Sequence, residues 1–146
     1  MSFVNINVHM VFTTKNRYPF LNTLELRKKM WRHIKENAKE KGIYITVVNG
    51  YMDHCHCLVS LNRSHSIQET AQLIKGESSF WINKSGLLKE KFQWQNEYFA
   101  VSVGDPEYKK VLKYILNQEK HHSKIAFQDE HESLINKIIN NERNQN

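Results

Sequence analysis

The chain has 146 residues, enough for one domain with its own core. Its 40% apolar and 25% charged residues, with only five glycines and two prolines, exclude collagen-like and low-complexity sequences. Twenty-one Lys and Arg against fifteen Asp and Glu leave a net charge of +6, a balance that suits a polyanionic partner such as nucleic acid. No run approaches the roughly 20 apolar residues of a membrane span, and the opening MSFVNINVHM lacks the regions of a signal peptide. These features predict a soluble, intracellular, single-domain protein over residues 1–139, with a polar, frayed tail at 140–146.

Val4, Ile6, Val8 and Met10 alternate with polar positions, which predicts a strand within Phe3 to Thr13. A basic loop, TKNRYP, follows. Asn22 or Thr23 can cap a helix over 24–41, with Leu24, Met30, Trp31, Ile34 and Ala38 on its apolar face and Gly42 as its C-terminal cap. Its other face carries Arg27, Lys28, Arg32, Lys35 and Lys39. Ile43 to Val48 is strand-like, and Asn49-Gly50 signals a hairpin turn into a partner strand from Tyr51 to Leu61. Ser66 caps a second helix near 67–84, with Ile67, Ala71, Ile74 and Phe80 in register; Trp31, Phe80 and Trp81 read as core. A loop over Ser85 to Asn96 leads to a fourth strand at Glu97 to Val103. Asp105 as cap and Pro106 at the first helical position open a helix to about 121, and Phe127 to Ile139 can form a last one. The order β-α-β-β-α-β predicts an α+β, ferredoxin-like split β-α-β fold: an antiparallel sheet with helices on one face and appended C-terminal helices.

Two stretches carry chemistry. In Asp53-His54-Cys55-His56-Cys57, strand alternation puts His54 and His56 on one face and both cysteines on the other. That separation argues against a His-Cys zinc site, and Cys55 and Cys57 read as small buried thiols in reduced form. The imidazoles either grip one cation on an exposed sheet face or are two surface histidines without a partner. On the helix after Pro106, Tyr108, Val111, Leu112, Ile115 and Leu116 form a buried stripe, while Tyr114 and Gln118 share a flank that His121 and His122 continue. Alone, a Tyr-x-x-x-Gln pair fits half-buried packing as well as catalysis. Combined, the motifs make chemical sense. Two neutral imidazoles and an amide oxygen leave a divalent cation its full charge to polarise a phosphate oxygen. Tyr114 beside it can attack phosphorus and hold a DNA end as a phosphotyrosine. The ligands alone suit zinc, copper or nickel as well. Lys15, Arg17 and the basic face with Arg27, Lys28, Arg32 and Lys35 can track a phosphate backbone or form a solvated surface.

The sequence resembles the insertion-sequence-200-like single-tyrosine transposases of the HUH superfamily, from Val8 to about Leu134. The resemblance is carried by His9-Met10-Val11-Phe12-Thr13-Thr14-Lys15-Asn16-Arg17, Asp53-His54-Cys55-His56, Lys75-Gly76-Glu77-Ser78-Ser79, Trp94-Gln95 with Tyr98-Phe99, and Ser102-Val103-Gly104. Its most specific stretch is Tyr114-Ile115-Leu116-Asn117-Gln118-Glu119-Lys120-His121-His122. The resemblance implies a transposase of a bacterial or archaeal insertion sequence, cytoplasmic and nucleoid-associated when bound to DNA. It implies cleavage and rejoining of single-stranded DNA at element ends marked by imperfect hairpins, with Tyr114 as nucleophile and a 5′-phosphotyrosine link. His54, His56 and Gln118 would bind Mg²⁺ or Mn²⁺, with Asp53, His121 and His122 in support and Lys75 among the DNA-binding residues. It further implies a homodimer with shared active sites. Gly104 would then be a hinge for the Tyr114 helix, or else a plain strand–helix turn. Cys55 replaces a larger aliphatic of the family's pattern. Rival readings are a domesticated palindrome-processing relative, a replication initiator or relaxase, and a non-catalytic ferredoxin-like nucleic-acid-binding module.

Overall fold

A computed structural model describes residues 2–122. The elements are β1 (Ile6–Thr13), α1 (Leu24–Glu40), β2 (Tyr44–Tyr51), β3 (His54–Leu61), α2 (Ile67–Ser85), β4 (Phe99–Val103), α3 (Asp105–Leu116) and α4 (Gln118–His121), with a single 3₁₀ turn at Lys15–Arg17. The strands form one antiparallel sheet in the order β2-β3-β1-β4, the arrangement expected for split β-α-β units. Residues 127–139 and the tail at 140–146 lie outside the described residues.

Strand alternation divides the interior into two layers. Val8, Met10 and Phe12 of β1 and Cys55, Cys57 and Val59 of β3 face α1 and α2, which contribute Met30, Ile34, Ala71 and Ile82. Met10, Phe12 and Phe92 are wholly buried, each worth roughly 1.5–3 kcal/mol of transfer from water. On the opposite face Leu58 of β3 meets Val111 and Ile115 of α3. A register shift between Ile45 and Val47 lets β2 serve both layers, Ile45 in the first and Val47 in the second. Helices therefore cover both faces, and the histidine face is closed: His54 and His56 have no exposed surface.

Thr23 caps α1 by accepting from the Leu26 amide, and Ser66 with Glu69 forms a capping box at α2. Several expectations are corrected. Asn49 and Gly50 lie inside β2, and the chain reverses at Met52-Asp53. A Cβ on Gly50 would collide with the His54 carbonyl oxygen, so glycine here answers a close approach between β2 and β3 rather than a turn. Leu24 and Phe80 are exposed, because Leu26 takes the inward position on α1 and α2 turns Phe80 outward beside Lys84. The fourth strand begins at Phe99 rather than Glu97. Gly104, not Asp105, is the N-cap of α3, at a φ of −79° open to any residue. The helix predicted to reach 121 breaks at Asn117, whose φ/ψ of −97°/15° separate α3 from α4 and leave Leu116 exposed.

Candidate active site

The site forms where the second layer meets β3. His54 and His56 project from β3 with their ring centroids 5.1 Å apart and nearly perpendicular. The Tyr114 ring of α3 stands edge-on to His56 at 5.4 Å. Gln118 opens α4, fully buried, with Oε1 3.1 Å from both His54 Nε2 and His122 Nε2, and its amide nitrogen donates to the Tyr114 carbonyl at 3.2 Å. Residues 54, 56, 114 and 118, singled out from two separate stretches, are thus brought together within one chain.

The break at Asn117 is held from the sheet. Asn49 Nδ2 of β2 donates to the carbonyls of Ile115 and Leu116, at 2.9 and 3.2 Å, satisfying groups that α3 leaves open at its end. Its neighbour Gly50 permits the approach to His54 noted above.

Asp53 fixes His54. Its Oδ1 lies 2.8 Å from His54 Nδ1, while Oδ2 accepts from Arg17 Nε and Nη2 at 3.1 and 3.0 Å. Partial burial would raise the Asp53 carboxyl, yet its bonds to His54 and Arg17 outweigh this and hold it below the usual carboxylate value. Arg17 reaches Asp53 from a left-handed backbone, φ 56°, after Asn16 at 58°. A carboxylate on Nδ1 selects the tautomer whose Nε2 carries a lone pair, and that lone pair faces the Gln118 oxygen. Two lone pairs at 3.1 Å are relieved by a positive group between them, a proton on the imidazole or a metal ion. The spacing matches the ~3.0 Å edge between neighbouring ligands of an octahedral ion with ~2.1 Å bonds. The donor set therefore fits a divalent cation. Among the described residues no three His, Cys, Asp or Glu side chains are grouped to hold an ion; the third donor here is an amide.

The flanking histidines differ in role. His122 stacks on Tyr51 at 4.8 Å, and burial, then the neighbouring His54, lowers its pKa to about 4, so it is neutral at physiological pH. His121 packs near Tyr114, with centroids 6.0 Å apart. His9 was not among the sequence candidates, yet it is fully buried in the same cluster, its Nε2 2.9 Å from His56 Nδ1 and its ring 6.4 Å from Tyr114. Only the β1–β3 register, which pairs Val11 on the same face of β1 with His56, brings it to the cluster. The two thiols lie in the opposite layer with their sulfurs 3.8 Å apart, and burial pushes the Cys55 thiol well up.

The proposed DNA-contacting side chains are placed unevenly. Lys15, Lys28 and Arg32 are exposed; Lys35, also exposed, donates to the Thr46 carbonyl at 3.2 Å. Lys75 donates to the carbonyls of Gln95 and Asn96, each at 2.7 Å. Arg27 is corrected outright. It is buried, pairs with both Glu119 oxygens at 2.7 and 2.9 Å, donates to the Leu21 carbonyl and lies over the Tyr51 ring, so it ties α4 to α1 instead of facing solvent.

Fold and cluster define an α+β domain with an internal His–Gln–Tyr site between a sheet face and a broken C-terminal helix. The chain belongs to the IS200-like transposase family, whose description, "Transposase IS200 like", is matched by residues 2–118, and it is a transposase by class. No curated protein sequence matches it significantly. Among solved structures it is similar to a candidate transposase from Deinococcus radiodurans R1, with 21% identity and a TM-score of 0.65 over 81% of this chain and 95% of that one. It is also similar to a REP-associated tyrosine transposase bound to a REP hairpin, with 18% identity and a TM-score of 0.62 over 86% of this chain and 73% of that one. At these identities the likeness concerns the fold. Among the described residues no helix is long and apolar enough to cross a membrane.

Proposed function

We propose that this transposase cleaves and rejoins single-stranded DNA at hairpin-marked ends, with Tyr114 as nucleophile and a 5′-phosphotyrosine intermediate. The observation that carries the reading is the meeting of Tyr114 with His54, His56 and Gln118 in one buried cluster. The Tyr114 oxygen would attack phosphorus, forming one P–O bond while the bond to the departing 3′ oxygen breaks; attack by a 3′-OH reverses the step and frees the phenol. Asp53 keeps His54 in the ligating tautomer, and Gln118 supplies a neutral oxygen without cancelling the ion's charge. A divalent ion such as Mg²⁺ or Mn²⁺, when bound by His54, His56 and Gln118, supplies Lewis-acid polarisation of the scissile phosphate. Self-association with shared sites belongs to the same reading and is checked by light scattering. Similarity to a hairpin-bound transposase supports a hairpin substrate.

The test uses single-stranded oligonucleotides carrying hairpins, incubated with Mg²⁺ or Mn²⁺ and run on a denaturing gel. A covalent protein–DNA band is expected for the wild-type chain. It should disappear with Tyr114→Phe, with chelator and with duplex substrate. Binding without an adduct under every condition would instead assign a non-catalytic nucleic-acid-binding module.

A further inference from the structure

Beyond the end of β1 the segment 93–95 lies alongside the chain. Lys15 donates its amide to the Gln93 carbonyl at 2.9 Å, Trp94 bridges Thr14, and the Gln95 amide donates to the Thr13 carbonyl at 2.8 Å. Opposite stands α2, whose Lys75 ammonium is clamped by the carbonyls of Gln95 and Asn96. Between them runs a groove of about 380 Å³, lined by Lys15, Lys75, Gly76, Ser79, Gln93 and Gln95 among others. That volume falls in the ~300–1,000 Å³ range of small-ligand sites and is of the size of a single nucleotide.

Three features give the groove its chemistry. Two lysines line it, and among the described residues no carboxylate does. The Lys75 head is fixed in direction by its two carbonyl partners, which leaves its third N–H for another acceptor. The third feature is Gly76, in the interior of α2, where glycine weakens a helix. Nothing lies within 4 Å of the point where a Cβ would stand, and its φ is not in the left-handed region. Neither backbone nor packing asks for glycine there. What its missing side chain does is keep the groove open.

We infer that this groove seats one unpaired nucleotide of a single-stranded DNA, its phosphate against Lys15 and Lys75, its base along Gly76, and its edge within reach of the Gln93 and Gln95 amides. This inference rests on the single-stranded substrate proposed above. It adds a place on the protein for that substrate other than the histidine–tyrosine cluster. A backbone link joins the two: Lys15 follows Thr14, whose amide donates at 2.9 Å to the carbonyl of Asp53, the residue before His54.

The experiment measures binding of the full chain to a fluorescein-labelled single-stranded oligonucleotide of mixed sequence, in which one abasic residue is walked along the strand. The wild-type chain should show a position at which loss of the base weakens binding about tenfold. Gly76→Phe, whose Cβ meets nothing within 4 Å and whose ring would occupy the groove, should weaken binding by a similar factor and erase that position dependence; Lys15→Gln should weaken it at all positions. Circular dichroism melting of Gly76→Phe should match or exceed wild type, since the helix loses a glycine. If the wild type binds no single strand, the substrate reading itself falls. If it binds and Gly76→Phe, folded, binds identically with the same abasic profile, only the groove is overturned.

Discussion

His9 Nε2 on β1 lies 2.9 Å from His56 Nδ1 on β3, with the two rings stacked at 5.1 Å. With His56 as donor, its Nε2 carries the lone pair that the proposed metal site needs; in that proposal His9 orients His56 as Asp53 orients His54. His9→Phe should lower Mn²⁺ affinity by about 10–100-fold in titration calorimetry, whereas His9→Gln, which keeps an acceptor, should recover much of it. Equal affinity in wild type and His9→Phe would show that the contact is packing alone.

Arg27 and Glu119 form a two-pronged pair whose arginine is buried and whose glutamate is part-exposed. Arg27→Met leaves a carboxylate that water can reach, so the loss is that of the arginine's hydrogen bonds, about 1–2 kcal/mol in urea unfolding. The salt dependence of DNA binding should stay as in wild type, because Arg27 does not face solvent. Lys28→Gln should reduce that salt slope with no loss of stability.

The capping box at α2 predicts a mild acid sensitivity. The Ser66 amide, then the Ser66 hydroxyl, lowers the Glu69 carboxyl from its ordinary value of 4.5. Its contribution is therefore complete above that value and fades as the pH drops through the lower folded value. Ser66→Ala should cost about 1 kcal/mol near neutral pH. In melts below pH 4.5 the gap between wild type and Glu69→Ala should narrow.

Gly50→Ala should be among the most damaging small substitutions. Its Cβ would run into the His54 carbonyl and lie 2.9 Å from Cys55 Cα, forcing β2 away from β3. A loss of about 1–3 kcal/mol is expected from such overpacking, with His54 displaced as well. Unfolding midpoints and Mn²⁺ titration should both shift; unchanged values would mean the two strands separate at little cost.

Period-two alternation in β1 and β3 and the Ser66 cap before a helical apolar pattern made the sheet and α2 readable in advance, because those signals are local. Three failures share one cause. Asn49-Gly50 has the composition of a hairpin turn, but Asn49 is needed to hold the end of α3 and Gly50 to admit His54, contacts far apart in sequence. Arg27 sits among solvent-facing lysines in sequence, yet Glu119, 92 residues away, draws it inward. The break at Asn117 leaves no proline or glycine to mark it. His54, His56, Tyr114 and Gln118 were legible as residue types at telling spacings, while His9 depended on a strand register that one sequence does not display.

The break at Asn117 also separates two adjustments. In an unbroken helix, Tyr114 and Gln118 would be locked one turn apart, and any rotation that aimed the phenol would swing the amide with it. At Asn117 the regular helix is interrupted and pinned by Asn49, so the amide sits on a turn offset from the α3 axis while still bonded to the Tyr114 carbonyl. The link that remains, from the Gln118 amide to the Tyr114 backbone carbonyl, does not involve the ring, so a change that turns the phenol about its own side-chain bonds leaves the amide oxygen 3.1 Å from His54.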